Sequence, residues 1–245
     1  MKTISIKDII IKYNEYLDEA LKYNYLVRDI DQQKEQIKKL TLFVQEIKYY
    51  KSQAIHNENK PYANTFFHFQ CVLNSLISIL NMWVELKNNK NKEAWNKLID
   101  AQEYLSVAMR IECEQFGLKE LLNVYEKIES VLFPGWNLYN SSAFIEKGGK
   151  CSICISEYAE CDHLEGLVYM GRLCRIVERK PVVLDHTAMV EHPRDKRCII
   201  EWISTDDGRK RDYMTWKILD EKVKNANGGM VMGGVIDNFN ELDYD

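Results

Sequence analysis

Apolar residues recur at alternating spacings of three and four through the first half of the chain, which predicts a series of amphipathic helices. Runs of polar residues and prolines at 56–61, 88–92 and 134–135 mark the ends of these helices. The stripes are broad, as they are on the core helices of a bundle. We therefore predict an antiparallel helical bundle over residues 1–133. The clearest stripe belongs to the third predicted helix and consists of Phe66, Phe69, Leu73, Leu76, Leu80 and Trp83.

The pattern changes after a predicted linker at 134–147. Short runs rich in Val and Ile are separated by Gly and Pro, which is typical of strands in a small antiparallel sheet. We predict a β-rich module over 148–224, closed by a helix from Asp212 to Val223. The remaining residues, 225–245, combine a glycine-rich run with an acidic end and predict a flexible acidic tail, with a late strand as the alternative.

Four of the seven cysteines and one histidine fall within 24 residues at the start of the β-rich module. Cys151 and Cys154 form a CxxC turn, which directs two thiolates toward one point. Cys161 and His163 are two residues apart, so in an extended segment they face the same side. Three thiolates and one imidazole form a closed tetrahedral shell for zinc. The predicted fold class is therefore α+β, with an N-terminal antiparallel helical bundle followed by a small zinc-stabilised β-rich module.

Cys174 is the substitute ligand in this prediction and would displace Cys161 or His163. With either set the site has four protein ligands and no open position for water, which indicates a structural zinc and argues against zinc-dependent hydrolysis. An odd number of cysteines, without an export signal at Met1, favours reduced thiols in the cytoplasm.

Composition and charge limit the classes of partner that we expect for this chain. The chain has 245 residues, of which 46% are apolar and 29% charged, with a net charge of −4, so bulk charge favours neither nucleic acid nor a membrane. The longest apolar stretch, 71–86, is too short and too polar to span a bilayer, and we expect a soluble cytoplasmic protein. The abundance of Lys, Asn and Ile suggests an AT-rich bacterial or phage genome.

Two further groups of residues are weaker candidates. Two histidines within seven residues, with a nearby aspartate and cysteine, could form a second polar or metal site; the group is Asp185, His186, His192 and Cys198. A nucleic-acid patch could form on the basic strands after the cysteine cluster; its residues are Arg172, Arg175, Arg179 and Lys180. From residue 146 to residue 224, however, the sequence has 15 basic and 15 acidic residues, so the net charge of this range is zero. The alternative is that these basic residues form an ordinary solvated surface.

The order CxxC followed by Asp162-His163-Leu164 resembles HNH nucleases. The resemblance implies that His163 is a general base and that His186, 23 residues on, stands near the last position of the motif. Three features depart from the family: the spacing from Cys154 to Asp162 is short for a strand, no second CxxC follows, and no Asn matches the middle position.

These observations predict a non-enzymatic, zinc-binding protein-interaction or adaptor protein. Its helical half is expected to bind a protein partner or to self-associate. The alternatives are a nucleic-acid-binding zinc protein and an HNH-like metal-dependent nuclease.

Overall fold

The computed structural model describes residues 5–24, 29–111, 116–135, 138–223, 229–236 and 242–245. The described helices are α1 Ile6–Leu21, α2 Ile30–His56, α3 Lys60–Lys87, α4 Asn91–Ala108 and α5 Phe116–Leu132. The helices occupy the N-terminal half and are followed by small antiparallel sheets and the cysteine cluster, so the predicted α+β class is confirmed.

The helices begin where the sequence provides side-chain caps. Ser5 and Asp8 form a reciprocal capping box at α1. The Asp29 carboxylate accepts hydrogen bonds from the first backbone N–H groups of α2, and the Asn59 side chain does the same at α3, where Pro61 follows in the first turn. These contacts satisfy donors that have no partner within the helix.

The core is centred on α3, which packs against both α2 and α4. Its buried side chains include Phe67, Leu73, Leu76 and Leu80. A helix buried nearly all round its circumference is typical of the centre of a bundle. Among the described helices, only α3 is long and apolar enough to cross a membrane by length and composition, and 78% of its apolar window is buried inside the structure.

The strands form four antiparallel sheets. Three of these sheets are two-stranded pairs, and the largest sheet has four strands. The pairs are β1 Tyr139–Lys147 with β6 Lys180–Val190, β2 Lys150–Cys151 with β5 Ile176–Val177, and β3 Val168–Tyr169 with β4 Arg172–Leu173. The largest sheet consists of β7 Ile200–Ser204, β8 Arg209–Asp212, β9 Ile218–Lys222 and β10 Met232–Gly234.

The chain divides into two compact units whose boundaries differ from those of the predicted domains. The first, here called the helical unit, comprises Met1–Tyr125, Lys150–Val177 and Leu242–Asp245. The second, here called the sheet unit, comprises Glu126–Gly149 and Glu178–Glu241. The segment with the predicted zinc ligands thus belongs to the helical unit, and the segment predicted as a linker contains β1. Whether either unit folds independently stays a prediction.

The helix predicted from Asp212 to Val223 is wrong. Tyr213, Trp216 and Leu219 have helical spacing, but Asp212 caps a turn of a hairpin. Its carboxylate accepts hydrogen bonds from the N–H and hydroxyl of Thr215, and Trp216 adopts a φ of +61°. The chain then returns as β9, which pairs with β8. An aspartate side chain caps turns as readily as helices, so the spacing alone could not distinguish the two.

The described residues of the predicted tail form part of the folded structure and are not a flexible tail. β10 pairs with β7, and Leu242–Asp245 belongs to the helical unit. Close packing explains the second pair of glycines, since a Cβ at Gly233 would lie 2.4 Å from the Trp202 indole and one at Gly234 would lie 2.3 Å from the Ile199 carbonyl oxygen. Residues 225–228 and 237–241 of the predicted tail lie outside the described residues.

Candidate metal centre

The CxxC turn places its two thiols on either side of a tight bend that starts in β2. Cys151 is fully buried, and its thiol accepts a hydrogen bond from the backbone N–H of Ile153 at 3.4 Å. The N–H of Ile155 bonds to the Cys151 carbonyl at 2.8 Å, which closes the turn. A backbone N–H that points at a sulfur stabilises a thiolate there. The turn therefore favours the thiolate form of Cys151, which is the form that binds metals.

The second pair of donors lies in an extended segment that two tyrosines hold in place. The backbone N–H of His163 donates to the Cys161 sulfur at 3.2 Å, repeating the arrangement in the CxxC turn. Tyr169 packs edge-on against the His163 ring at 4.6 Å between centroids, and its hydroxyl accepts from the N–H of Leu164 at 3.0 Å. The Tyr158 hydroxyl likewise accepts from the next backbone N–H, at 2.9 Å.

The four predicted ligands converge on one point. The ligand atoms of Cys151, Cys154, Cys161 and His163 all lie within 4.8 Å of one another. The sulfurs of Cys154 and Cys161 are 3.5 Å apart, and the Cys161 sulfur is 3.2 Å from the Nδ1 atom of His163. Zinc–sulfur bonds of ~2.3 Å in a tetrahedron place neighbouring ligand atoms ~3.5–3.8 Å apart. The four residues are close enough to hold a metal ion, and their donor types and spacing fit zinc.

Cys174 lies at the edge of this group. Its sulfur is 3.8 Å from that of Cys151, and its side chain is fully buried. It is outside the set of donors that all lie within 4.8 Å of one another. Cys174 thus contacts one predicted ligand and stands beside the four-donor set.

The thiols differ in their tendency to ionise. Burial acts to raise the pKa of Cys151, but N–H groups of Cys154 and Ile153 and the neighbouring thiols outweigh it and lower this pKa to about 7. The N–H of Ser156 and the Cys161 thiol lower the pKa of Cys154. Burial raises the pKa of Cys161 to about 11 and that of Cys174 to about 12. The CxxC turn therefore provides the thiolates that form most readily.

The hairpin that follows the donors packs on the helices of the same unit. Met170 and Gly171 connect β3 to β4 with positive φ at both positions, as in a type I′ turn. The Gly171 N–H donates to the Asn64 side chain at 2.9 Å. The Arg110 guanidinium donates to the Gly166 carbonyl at 3.1 Å. The segment that carries the candidate ligands is thereby attached to α3 and to the residues that follow α4.

The second polar site is not assembled. In the part of the chain that the structure describes, the cluster around Cys151 is the only group of three or more residues that could hold a metal ion. Asp185 and His186 contact each other at 2.9 Å on exposed β6, at an irregularity in its pairing with β1. Cys198 is buried, whereas His192 is exposed.

The four residues of the predicted nucleic-acid patch are divided between the units. Arg172 and Arg175 belong to the helical unit, and Arg179 and Lys180 to the sheet unit. Arg175 pairs with Asp245 at 3.2 Å, and Arg179 pairs with Glu146 at 3.7 Å. Two of the four positive charges are thus compensated by carboxylates. Nucleic-acid binding at this surface stays a prediction.

The sequence reasoning missed a polar pocket in the helical unit. Lys51, Gln70 and Asn74 are buried, and each donates a hydrogen bond to the main chain of Leu242–Asp245. One signal was available, because Lys51 interrupts the apolar stripe of α2 one turn after Ile47. A charged residue at a core position is rarely buried without a partner.

Comparisons of this chain with protein-family models, with curated proteins and with solved structures found no match.

Proposed function

We propose that this chain is a zinc-binding protein in which the metal has a structural role and whose function is to bind a protein partner. The observation that carries the proposal is the convergence of Cys151, Cys154, Cys161 and His163 within 4.8 Å. Three thiolates and an imidazole are a common structural shell for zinc and an unfavourable one for magnesium or calcium, which prefer oxygen ligands.

A structural role follows from the number of donors. Catalytic zinc keeps one coordination position for water or substrate, whereas four protein ligands fill the tetrahedron. The metal would connect the turn at β2 with the 161–163 segment, both of which carry little regular structure of their own. Zinc binding then contributes directly to the folding of this segment.

The proposal predicts about one tightly bound zinc per chain. The measurement is elemental analysis of protein purified under reducing conditions without chelator. The predicted second site adds no zinc in this proposal, so a variant with His186→Ala should contain as much zinc as the parent. Absence of zinc from folded parent protein would refute the proposal.

His163→Cys separates this proposal from an HNH-like nuclease. A cysteine can replace histidine in a closed zinc shell, so zinc content and folding should be retained. A nuclease that uses His163 as its base would instead lose Mg²⁺-dependent DNA cleavage with zinc content unchanged. We expect no such cleavage by the parent. Cleavage by the parent that is lost in the variant would assign His163 to catalysis.

A further inference from the structure

The segment Leu242–Asp245 is seated in a pocket of the helical unit, here called the tail pocket. The Tyr244 side chain is only 4% exposed. Its ring lies edge-on to Phe67 of α3 and Tyr104 of α4, with centroid distances of 6.3 and 5.3 Å. An aromatic ring enclosed by two others is the kind of anchor that dominates binding energy at protein interfaces.

Side chains of the helices bind the main chain of this segment at successive residues. Lys51 of α2 donates to the Tyr244 carbonyl at 3.2 Å. Asn74 of α3 donates to the Asp243 carbonyl at 3.1 Å, and Gln70 to the carbonyls of Asp243 and Asp245 at 3.3 and 3.2 Å. The helices therefore bind this segment through its main-chain carbonyls, which is also how many peptide-binding sites hold their ligands.

The contacts to the side chains of the segment depend on residue type, whereas one more contact is to its main chain. The latter is the hydrogen bond that the Tyr104 hydroxyl accepts from the N–H of Asp243 at 2.8 Å. Lys48 pairs with the Asp243 carboxylate at 2.6 Å. Arg175, in the metal-binding segment, pairs with Asp245 and also lies 5.7 Å from the centre of the Tyr244 ring. Cations thus surround an acidic segment with a central aromatic residue.

The composition of the pocket is unusual for a core that serves stability alone. Lys51 is 4% exposed and Gln70 is fully buried. Burying such groups costs free energy unless they are hydrogen-bonded, and apolar residues of similar volume often give equal or greater stability. Here the hydrogen bonds of the Lys51, Gln70 and Asn74 side chains all go to main-chain atoms of one short segment. Within the bundle, the Lys51 ammonium also lies 5.1 Å from the centre of the Phe67 ring.

We propose that the tail pocket is a recognition site for a partner protein's acidic segment with a tyrosine between two acidic residues, and that Leu242–Asp245 occupies it as an intramolecular competitor. The inference rests on the protein-interaction part of the proposed function and is independent of zinc. Because the segment belongs to the same chain, its binding to the pocket is intramolecular, and a free peptide must compete with it. A partner segment must therefore displace it.

The test is binding of a fluorescein-labelled Glu-Leu-Asp-Tyr-Asp peptide, capped at both ends, to the full chain by fluorescence anisotropy. The chains compared are the parent, Tyr244→Ala, and Asp243→Lys combined with Asp245→Lys. Both variants weaken the resident segment, and the second leaves Tyr244 in place and changes only side chains at the surface. We expect each to bind the peptide at least about tenfold more tightly than the parent.

Two controls identify the pocket. A peptide with alanine in place of tyrosine should bind at least about tenfold more weakly, because the aromatic anchor is lost. Adding Lys51→Met to Tyr244→Ala should weaken binding of the tyrosine peptide by a similar factor. Circular dichroism establishes that each chain is folded. If Tyr244→Ala does not fold, the comparison of the parent with the double variant Asp243→Lys and Asp245→Lys tests the inference.

Equal affinity of parent and folded variants, or no saturable binding by a folded variant up to about 1 mM peptide, would overturn the inference. If the parent is a dimer and Tyr244→Ala is not, the pocket binds a second copy of this chain, and the inference of a different partner protein is refuted. Zinc is measured in the same samples. If the protein binds the peptide but contains no zinc, the proposed role of zinc is refuted and the tail-pocket inference stands. If it contains zinc but does not bind the peptide, the tail-pocket inference is refuted and the proposed role of zinc stands.

Discussion

The sulfur of Cys174 lies 3.8 Å from the sulfur of Cys151, the distance expected between two ligands of one tetrahedral zinc. Five donors are thus close together where zinc takes four. The four donors that all lie within 4.8 Å of one another include His163 and leave Cys174 out. The choice between the two sets can be tested by comparing cysteine variants.

We expect Cys174→Ser to retain one zinc and Cys154→Ser to lose it. A residue that contacts a ligand without binding the metal costs about 10- to 100-fold in affinity, whereas loss of a ligand opens the shell. The measurement is zinc retention during titration with a chelator. In cobalt-substituted protein, the thiolate-to-cobalt absorption should be that of three thiolates in both the parent and Cys174→Ser. Loss of zinc from Cys174→Ser as well as from Cys154→Ser would place Cys174 in the shell.

The helices and the metal cluster were predictable because both are encoded locally. The stripe from Phe66 to Trp83 repeats over successive turns, Asp29 provides the cap that α2 uses, and the four donors lie within 13 residues of one another. Local patterns of this kind need no knowledge of distant contacts.

The errors arose where contacts distant in sequence decide the structure. Asp212 fits a helix start and a hairpin turn equally well, and the pairing of β8 with β9 decides between them. Lys51 and Tyr244 are separated by 193 residues, so no local pattern relates them. The segment with the candidate ligands contacts α3 through Gly171 and Asn64, a contact that composition cannot indicate.

Lys51 should make stability depend on pH in an alkaline window. Burial lowers the pKa of Lys51 from 10.5 to about 8, although Cys71, Asp245 and Asp243 act in the opposite direction. Between these two values the unfolded chain binds more protons than the folded chain. The free energy of unfolding therefore rises with pH across the window, by at most about 3 kcal/mol.

The measurement is urea unfolding of the parent and of Lys51→Met from pH 7 to pH 10. The difference between the two chains isolates Lys51 from other groups, and it should grow in favour of the parent as pH rises. Burial also raises the pKa of Tyr104 and Tyr125, but both chains contain these tyrosines, so their contribution cancels in the difference. A constant difference would show that Lys51 keeps its proton throughout the window.

Ile155→Asn should stabilise the protein. Ile155 has a φ of +63°, a conformation that is costly for a β-branched residue and tolerated by asparagine. Its side chain is 61% exposed, so little apolar burial is lost. We expect a gain of about 1 kcal/mol in the free energy of unfolding. Ile153→Asn is the matched control and should give no gain, because the backbone of Ile153 has no positive φ. Equal effects of the two substitutions on the urea midpoint would contradict the strain at Ile155.

Gly171→Ala should destabilise the helical unit more than Gly166→Ala does. Both glycines have positive φ, +68° and +85°, so alanine is strained at either position, by about 1–2 kcal/mol. A Cβ at Gly166 would lie 3.1 Å from the end of the Arg110 side chain, which can move aside. A Cβ at Gly171 would lie 2.5 Å from the backbone carbonyl oxygen of Ala63, within α3. That oxygen cannot move without displacing the helix.

The excess cost at Gly171 measures how firmly the β3–β4 hairpin is fastened to α3. Overpacking against rigid structure costs about 1–3 kcal/mol, which we expect in addition to the backbone strain that both variants share. Urea unfolding of zinc-containing protein gives the two costs, and metal analysis of the same samples shows whether the shell persists. Because neither glycine is a ligand, zinc content should stay at the parent level in both variants. Equal costs at the two positions would mean that the hairpin yields freely, and that zinc rather than packing on α3 holds this segment in place.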